Sequence, residues 1–397
     1  NSNSYIKKYK LYSNSNSYFF ICLFIMKYPS INDPNFYKKI ALIYRKYKVQ
    51  KKKQTLKEIC YPKGFKLQKP QEFVSEYLKP GTPYRGLLIF HQIGSGKTCA
   101  SVAIAEQWKT KRKILVTVPA ALVGNYYKEL MSKCPGDVYL TDAERSIMSK
   151  ISPFSKEYKL MKQKAIKIIL KYYKIISHHK FVDLASKNRM NLKNTILIVD
   201  EVHNIVSEDG YFYNMFNKVL SKSPESCKII LMSATPMFDK PYELGLTFNL
   251  LPIKDKFPIG KEFNKKYIKM TKNKNNELEY KIINKDDIYK KVKGFVSYYR
   301  GANPVSFPKV YHYTVKCRMR EFQYKSYLAV SKRTGSFKTT DLLDLSNSFL
   351  VGTRYMSNIA FPNKKLELEG FNSLKDKHIK KSKIKEYSIK YYEILKR

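Results

Sequence analysis

The sequence predicts an α/β fold, a parallel sheet with helices on both faces. Three observations point there. Short continuous apolar runs alternate with helix-like stretches between about residues 86 and 233, and strands covered on both sides require runs of that kind. One run leads through a glycine-rich turn into a helix, and another ends in an acidic pair; in open α/β sheets, ligand-binding residues sit at such carboxyl ends. Hydrophobic residues make 43% and aromatic residues 14% of the 397, which supplies a core and excludes the composition of a disordered chain.

Taken in order, GLLIFH (86–91) is a buried strand, followed by the turn HQIGSGKT and a helix over 100–108. KILVTVP (113–119) is a second strand, followed by the helical ALVGNYYKEL. A Lys-rich helical segment over 156–173 leads into the strand YKIIS (173–177), and TILIVD (195–200) and KIILMS (228–233) are two further strands. After about residue 251 the character changes. Residues 254–291 are polar and charged, with KNKNN at their centre, and read as a connector with some helix. FVSYYRGANPVSFPKVYHYTV (295–315) offers two strand-like runs around a Gly/Asn/Pro loop, then the helix-like MREFQYKSYLAVSK; 375–397 reads as a basic helix. The expected organisation is a basic extension over 1–55, a first domain over 56–253, a connector over 254–309 and a second domain starting at 310.

Lys7, Lys8 and Lys10 ahead of the apolar run 18–26 imitate a signal peptide, but no small-residue cleavage site follows. The run is also well short of the ~20 residues of a membrane helix. Of the two readings left, we take translation from Met26, with 1–25 as upstream read-through, over a targeting segment.

Lys and Arg number 76 against 32 Asp and Glu, a formal charge of +44. Such an excess suits a polyanionic partner, nucleic acid or an acidic membrane surface. It also suits AT-rich coding, since only 11 of the 76 are Arg, so charge alone does not choose. The six cysteines show no C-x-x-C pair and no histidine at zinc spacing. They predict neither a disulfide scaffold nor a zinc site, but free thiols in a reducing compartment.

The chemistry concentrates in three places. In HQIGSGKT, Gly94, Ser95 and Gly96 form a turn whose N–H groups suit phosphate; Lys97 can reach the β and γ phosphates of a nucleotide, and the Thr98 hydroxyl can ligate Mg²⁺. The first glycine of G-x-x-x-x-G-K-T is replaced by His91. In ILIVDEVHN, a buried strand delivers Asp200, placed to hold Mg²⁺, and Glu201, placed to orient and deprotonate water. His203 taken alone reads as an ordinary surface or packed histidine. In LMSATPMFDKP, Ser233 and Thr235 follow another buried strand; S-A-T by itself is a common turn tripeptide.

Together, G-S-G-K-T, D-E-V-H and S-A-T in this order resemble motifs I, II and III of superfamily 2 helicases with a DExH box. More closely, LQKPQEFV, TPYRGLLIFHQIGSGKTCAS, PAALVGNYYKEL, DEVHN, SATPMFDKPYEL and SYYRGANPVSFPKV resemble the helicase-like ATPases of nucleocytoplasmic large DNA viruses, a group that includes poxvirus nucleoside triphosphatase I and the small subunit of the early transcription factor. The resemblance runs over about 67–309. It implies a RecA-like domain using ATP and Mg²⁺, catalytic Lys97, Asp200 and Glu201, and metal held by Thr98 and Asp200. Gln71 would contact adenine, and His203, Ser233 and Thr235 would couple nucleotide state to nucleic-acid contact. Pro119 and Ala120 match motif Ia, which touches the nucleic-acid backbone; read without the family, they are a strand-to-helix turn. Arg300 reads either as a phosphate ligand or as a surface residue.

The family's second RecA-like domain carries motifs IV to VI, and no Q-x-x-G-R-x-x-R run occurs here. The expectation is therefore an incomplete second RecA-like domain over 310–397, with weak ATP-Mg binding and impaired hydrolysis. The implied function is an ATP-dependent helicase or translocase in viral transcription. DNA or RNA and a viral RNA polymerase or transcription factor subunit would be its partners, with no membrane. Its location would be intracellular, in a cytoplasmic viral factory or the virion. Two competitors are a P-loop ATPase without translocation and an inactive nucleic-acid-binding fragment.

Overall fold

The computed structural model describes residues 28–49, 64–207, 210–237, 240–272, 278–301, 311–333, 351–360 and 384–396. The segments 1–27 and 50–63, on which the translation-start reading and part of the basic extension rest, lie outside them. Two compact units follow one another, residues 1–307 and 308–397.

The first unit is built on six strands: β1 (Gly86–His91), β2 (Lys113–Val118), β3 (Tyr173–Ser177), β4 (Thr195–Val199), β5 (Lys228–Ser233) and, past a two-stranded antiparallel hairpin of β6 (Ile268–Lys272) and β7 (Leu278–Ile282), β8 (Val296–Tyr299). The sheet order is β3-β2-β4-β5-β1-β8, and every neighbouring pair is parallel. Strand residues alternate between two cores. Leu87, Ile89, Ile114, Val116, Ile196, Ile198, Ile230 and Met232 join one cluster; Leu88, Leu115, Leu197, Val199, Ile229 and Leu231 join the other. A side-chain period of two in strands buried on both sides forces this division, and it places helices on both faces as expected.

One face carries α1 (Phe36–Ile43), α2 (Lys69–Tyr77), α3 (Lys97–Glu106) and α4 (Val123–Leu130), followed in the chain by α5 (Asp142–Lys150) and α6 (Lys156–Ile169). The other carries α7 (His178–Ser186), α8 (Tyr211–Ser221), α9 (Tyr242–Asn249) and α10 (Gly260–Tyr267). The expected strands β1, β3 and β5 form at their expected bounds. Strand β2 stops one residue early because Pro119 has no N–H to donate. Helix α3 starts three residues earlier than the apolar pattern suggested, directly after the left-handed Gly96, and α6 ends at Ile169, ahead of 173.

Of the stretch 254–309, expected as a connector with some helix, the described residues 254–272 and 278–301 are structured. It contributes α10, the β6–β7 hairpin, α11 (Lys285–Val292) and the edge strand β8, which pairs with β1 from Leu88–Val296 to His91–Tyr299. Its short, half-exposed pattern carries too little apolar periodicity to reveal a partner 200 residues away. Most of KNKNN falls on 273–277, outside the described residues. Tyr77 stacks on Tyr84 with ring centres 4.1 Å apart and donates its hydroxyl to the Gly294 carbonyl at 2.7 Å, fastening α2 to the approach to β8.

The described residues of the second unit form α12 (Glu321–Arg333), α13 (Val351–Asn358), α14 (Ile384–Tyr387) and α15 (Ile389–Leu395), around Val330, Met356 and Ala360. The buried Gln323 donates to the Met356 carbonyl at 3.0 Å and joins α12 to α13. The second strand-like run expected near 310 is not a strand among the described residues 311–320; 302–310 lie outside them. The basic helix expected over 375–397 is broken. Ser388, with φ −154°, separates α14 from α15, and its hydroxyl caps α15 by accepting from Tyr391 N at 3.1 Å.

Candidate functional site

At the carboxyl end of β1 the chain turns through Gly94 (φ 76°) and Gly96 (φ 73°) into α3. Both angles lie in the left-handed region, where a side chain is unfavourable. At Gly96 a Cβ would also run into the Gln71 amide. Ser95 is buried, and its hydroxyl donates to the Gln92 carbonyl at 2.6 Å, closing the turn from inside. The first N–H groups of α3, from Lys97 onward, have no partners within the helix and give this end a partial positive charge. An anion is favoured there.

Gln71 does not face out of this site. It is 5% exposed; its Nε2 donates to the Gly96 carbonyl at 3.0 Å and its Oε1 accepts from Gln68 N at 2.7 Å. The residue expected to contact adenine thus also ties the start of α2 to the glycine turn. His91, in the place of the first glycine, is fully buried. Its Nε2 lies 2.9 Å from Ser297 Oγ on β8, and its ring meets Tyr299 edge-on. Burial first, and the Lys97 charge second, push its pKa down to about 4, so the ring is neutral; its Nδ1 has no hydrogen-bond partner.

The acidic pair sits at the same end of the sheet. Asp200 follows β4, its N–H bonded to Thr117 O at 2.9 Å, and it is 7% exposed. Burial and the neighbouring Glu201 charge raise its pKa to about 6, against the lowering effects of the Glu201 N–H and Lys97. Glu201 adopts φ 47°, strained for a side chain of its size, and its N–H returns to Asp200 Oδ1 at 2.9 Å. Glu201 Oε2 is buried without a hydrogen-bond partner, 3.3 Å from His203 Nδ1.

Strand β5 lies between β4 and β1, so Ser233 at its end stands between the acidic pair and the glycine turn. Ser233 Oγ shares a 2.9 Å hydrogen bond with His203 Nδ1 and accepts from Thr235 N at 2.9 Å. One chain of contacts thus runs from Glu201 through His203 and Ser233 to Thr235. Pro119 and Ala120 follow β2 at the same carboxyl end of the sheet, half-buried and exposed, where Ala120 opens the single turn Ala120–Leu122 before α4.

His178, which the sequence reading passed over, sits behind the acidic pair. It is 3% exposed at the start of α7; its Nε2 lies 3.0 Å from the Asp200 carbonyl and its Nδ1 2.8 Å from Thr117 Oγ1. A carbonyl only accepts, so Nε2 carries the proton and Nδ1 accepts from the threonine. Burial holds the pKa at about 4, which keeps this neutral arrangement. The signal was available: a histidine directly after an apolar strand whose carboxyl end borders the site.

The donors fit Mg²⁺. Thr98 offers a hydroxyl and Asp200 a carboxylate, both hard oxygen ligands. Among the described residues no Lys or Arg forms an ion pair with Asp200, so a divalent cation would relieve its raised pKa.

The SNF2-related domain family matches residues 11–370. The chain belongs to that family. This SNF2-related domain is 43% identical over 375 residues to the "Putative ATP-dependent RNA helicase R563" of Acanthamoeba polyphaga mimivirus, covering 94% of this chain and 65% of that protein. It is 29% identical over 198 residues to "Putative helicase 087L" of Invertebrate iridescent virus 3, covering 46% of this chain and 20% of that one. To the "Termination factor NPH-I homolog" of African swine fever virus (isolate Tick/South Africa/Pretoriuskop Pr4/1996) it is 24% identical over 270 residues, 62% of this chain and 33% of that one. The SNF2-related domain thus spans less than two thirds of the length of these relatives. Among solved structures it is similar to the Sulfolobus solfataricus SWI2/SNF2 ATPase core in complex with dsDNA, with a TM-score of 0.38 and 15% identity, covering 73% of this chain and 57% of that one. The viral large-DNA-virus resemblance and the RecA-like sheet expected from the sequence both stand. Among the described residues, no helix is long and apolar enough to cross a membrane.

Proposed function

We propose that this chain is the ATP-binding part of a superfamily 2 helicase or translocase that hydrolyses ATP to move on nucleic acid, in the service of viral transcription. The observation that carries the reading is the convergence, at one end of one parallel sheet, of the Gly94–Thr98 turn after β1, the Asp200–Glu201 pair after β4 and Ser233 between them. In this reading the N–H groups of the turn and Lys97 grip the phosphates. Thr98 and Asp200 hold Mg²⁺, which when bound supplies charge neutralisation at the phosphates. Glu201 orients the attacking water and takes its proton, its Oε2 making no hydrogen bond and lying 3.3 Å from His203 Nδ1. The contacts from Glu201 through His203 and Ser233 to Thr235 carry the state of the cleft outward, and Pro119 and Ala120 meet the strand's backbone.

The viral relatives support a helicase more than a P-loop ATPase of another kind, and the DNA or RNA identity of the track is left to experiment. The reading includes slow turnover from these 397 residues alone, because the family's phosphate-neutralising arginines find no match within them. A viral RNA polymerase or transcription factor is the partner class, and an infected cell's cytoplasm or the virion the location.

The test is Mg-nucleotide binding and hydrolysis by the chain with and without single-stranded DNA or RNA. Lys97→Ala should weaken nucleotide binding at least tenfold, and nucleic acid should speed hydrolysis by the unsubstituted chain. Hydrolysis indifferent to both nucleic acids would favour an ATPase that does not translocate. Nucleotide affinity unchanged by Lys97→Ala would overturn the reading.

A further inference from the structure

Against the expectation of six free thiols, Cys99 and Cys134 are joined by a disulfide. Sequence spacing hid the pair because 35 residues separate them. The packing of α3 beside α4 brings their Cα atoms to 5.7 Å, and the Ser101 Oγ–Tyr126 OH contact at 3.0 Å joins the same two helices. The position is unusual. Cys99 is the third residue of α3, after Lys97 and Thr98, while Cys134 lies in the turn that ends α4, the helix that follows Pro119 and Ala120. The bond therefore ties the phosphate-facing end of α3 to the far end of α4.

The two sulfurs are reached unequally. Cys134, 9% exposed, lines an open cavity of about 400 Å³ with Glu72, Ser75, Glu106 and Gln107, whereas Cys99, 4% exposed, does not line it. Among the described residues, Cys99, Glu129 and Cys134 are the one group of three or more His, Cys, Asp or Glu side chains close enough to share an ion; with its sulfurs bonded to each other it offers no metal site. Glu129 has its carboxyl within 4.8 Å of both sulfurs, and burial raises its pKa.

We propose that Cys99–Cys134 is a reversible thiol–disulfide exchange site, entered through this cavity, that fastens or releases the helix carrying Lys97 and Thr98. A thiolate of an incoming dithiol attacks Cys134 Sγ, the S–S bond breaks, and Cys99 departs. Cys99 is the better leaving sulfur, since the first turn of a helix favours a thiolate, and Glu129 is placed to protonate it. The second thiolate of the dithiol then attacks its own mixed-disulfide sulfur, freeing Cys134. Two electrons and two protons end on the protein, and the dithiol leaves as a cyclic disulfide. A small-molecule disulfide reverses the sequence. The exchange chemistry itself does not rest on the proposed nucleotide reading; only the consequence for Lys97 and Thr98 does.

The test uses the full chain in native buffer, treated with oxidised or reduced dithiothreitol, quenched with N-ethylmaleimide and mapped by mass spectrometry, with melting midpoints measured in parallel. The oxidised chain should yield a linked Cys99–Cys134 peptide. Reduction without denaturant should open it, label both residues and lower the midpoint by roughly 5–10 °C, as loss of a bond closing a loop of this length implies; re-oxidation should restore it. Cys134→Ser and Cys134→Ala should remove the reductant-dependent shift, and Cys227→Ala should keep it. Absence of the linked peptide after oxidation, or opening only in denaturant, would overturn the proposal; so would a shift that survives in a Cys134 variant. If neither variant folds, the peptide map of the unsubstituted chain decides.

Discussion

Replacing Asp200 by Asn should stabilise the protein while abolishing its Mg-dependent chemistry. The carboxyl is 7% exposed and titrates at about 6, against 3.8 for an unperturbed aspartate, mainly because burial disfavours its charge. A difference of that size is worth about 3 kcal/mol against the ionised native state. The sign follows from proton binding: between pH 3.8 and about 6 the folded chain holds this proton more tightly than the unfolded chain, so stability falls as pH rises through that window. The penalty is absent below the window and complete above about pH 7. Asn keeps an oxygen that can accept the Glu201 N–H, so the kink survives. Even with half of the penalty relaxed away, the variant should melt about 3–6 °C above the unsubstituted chain at pH 8, with the gap closing toward pH 4. Thermal melts of both proteins across pH 4–8 measure it. A variant less stable at pH 8, or an advantage that does not change with pH, would refute the claim that an uncompensated buried charge resides here.

Gly96→Ala should destabilise by about 1–3 kcal/mol, because a left-handed φ and a clash with Gln71 act together; adding Gln71→Ala should recover only the part due to the clash, as paired melting curves would reveal. His178→Phe keeps bulk but leaves the Thr117 hydroxyl and Asp200 carbonyl unpaired, so about 2 kcal/mol of stability should go. Nucleotide hydrolysis should drop at least tenfold, and normal turnover would show that His178 does not position the acidic pair. Glu201→Gln should leave nucleotide affinity within a few-fold and reduce hydrolysis by roughly 10²–10⁴; an equal loss of both in binding and single-turnover assays would assign Glu201 to binding.

Much of the sheet was legible because its strands are continuous apolar runs closed by glycine, serine or charge, as at GLLIFH, YKIIS and KIILMS. The glycine turn and the acidic pair were legible as candidates for a chemical reason: few residue combinations suit phosphate and metal at a strand's carboxyl end. Features that depend on meeting across the fold were not. Strand β8 has no signature that names β1 as its neighbour, His178 gains its role only once β3 lies beside β2, and Cys99 finds Cys134 through the packing of two helices. Gln71 carries a contact that its sequence did not announce. Its position matched the resemblance, and in this structure the amide is used by the glycine turn beneath it.

The pairing of β8 with β1 also has a consequence for how the protein can be divided. A fragment stopped at residue 253, where the apolar alternation fades, would strip β1 of its outer neighbour and bare the backbone groups that now bond Phe295 and Tyr299, as in Leu88 N to Phe295 O at 2.7 Å and Gln92 N to Tyr299 O at 3.1 Å. The strand that presents the glycine turn would become a raw sheet edge of Leu, Ile and Phe, a template for self-association. During synthesis the same holds in time. The glycine turn leaves the ribosome some 200 residues before the strand that shields its flank, so the nascent sheet must wait with β1 uncovered on that side.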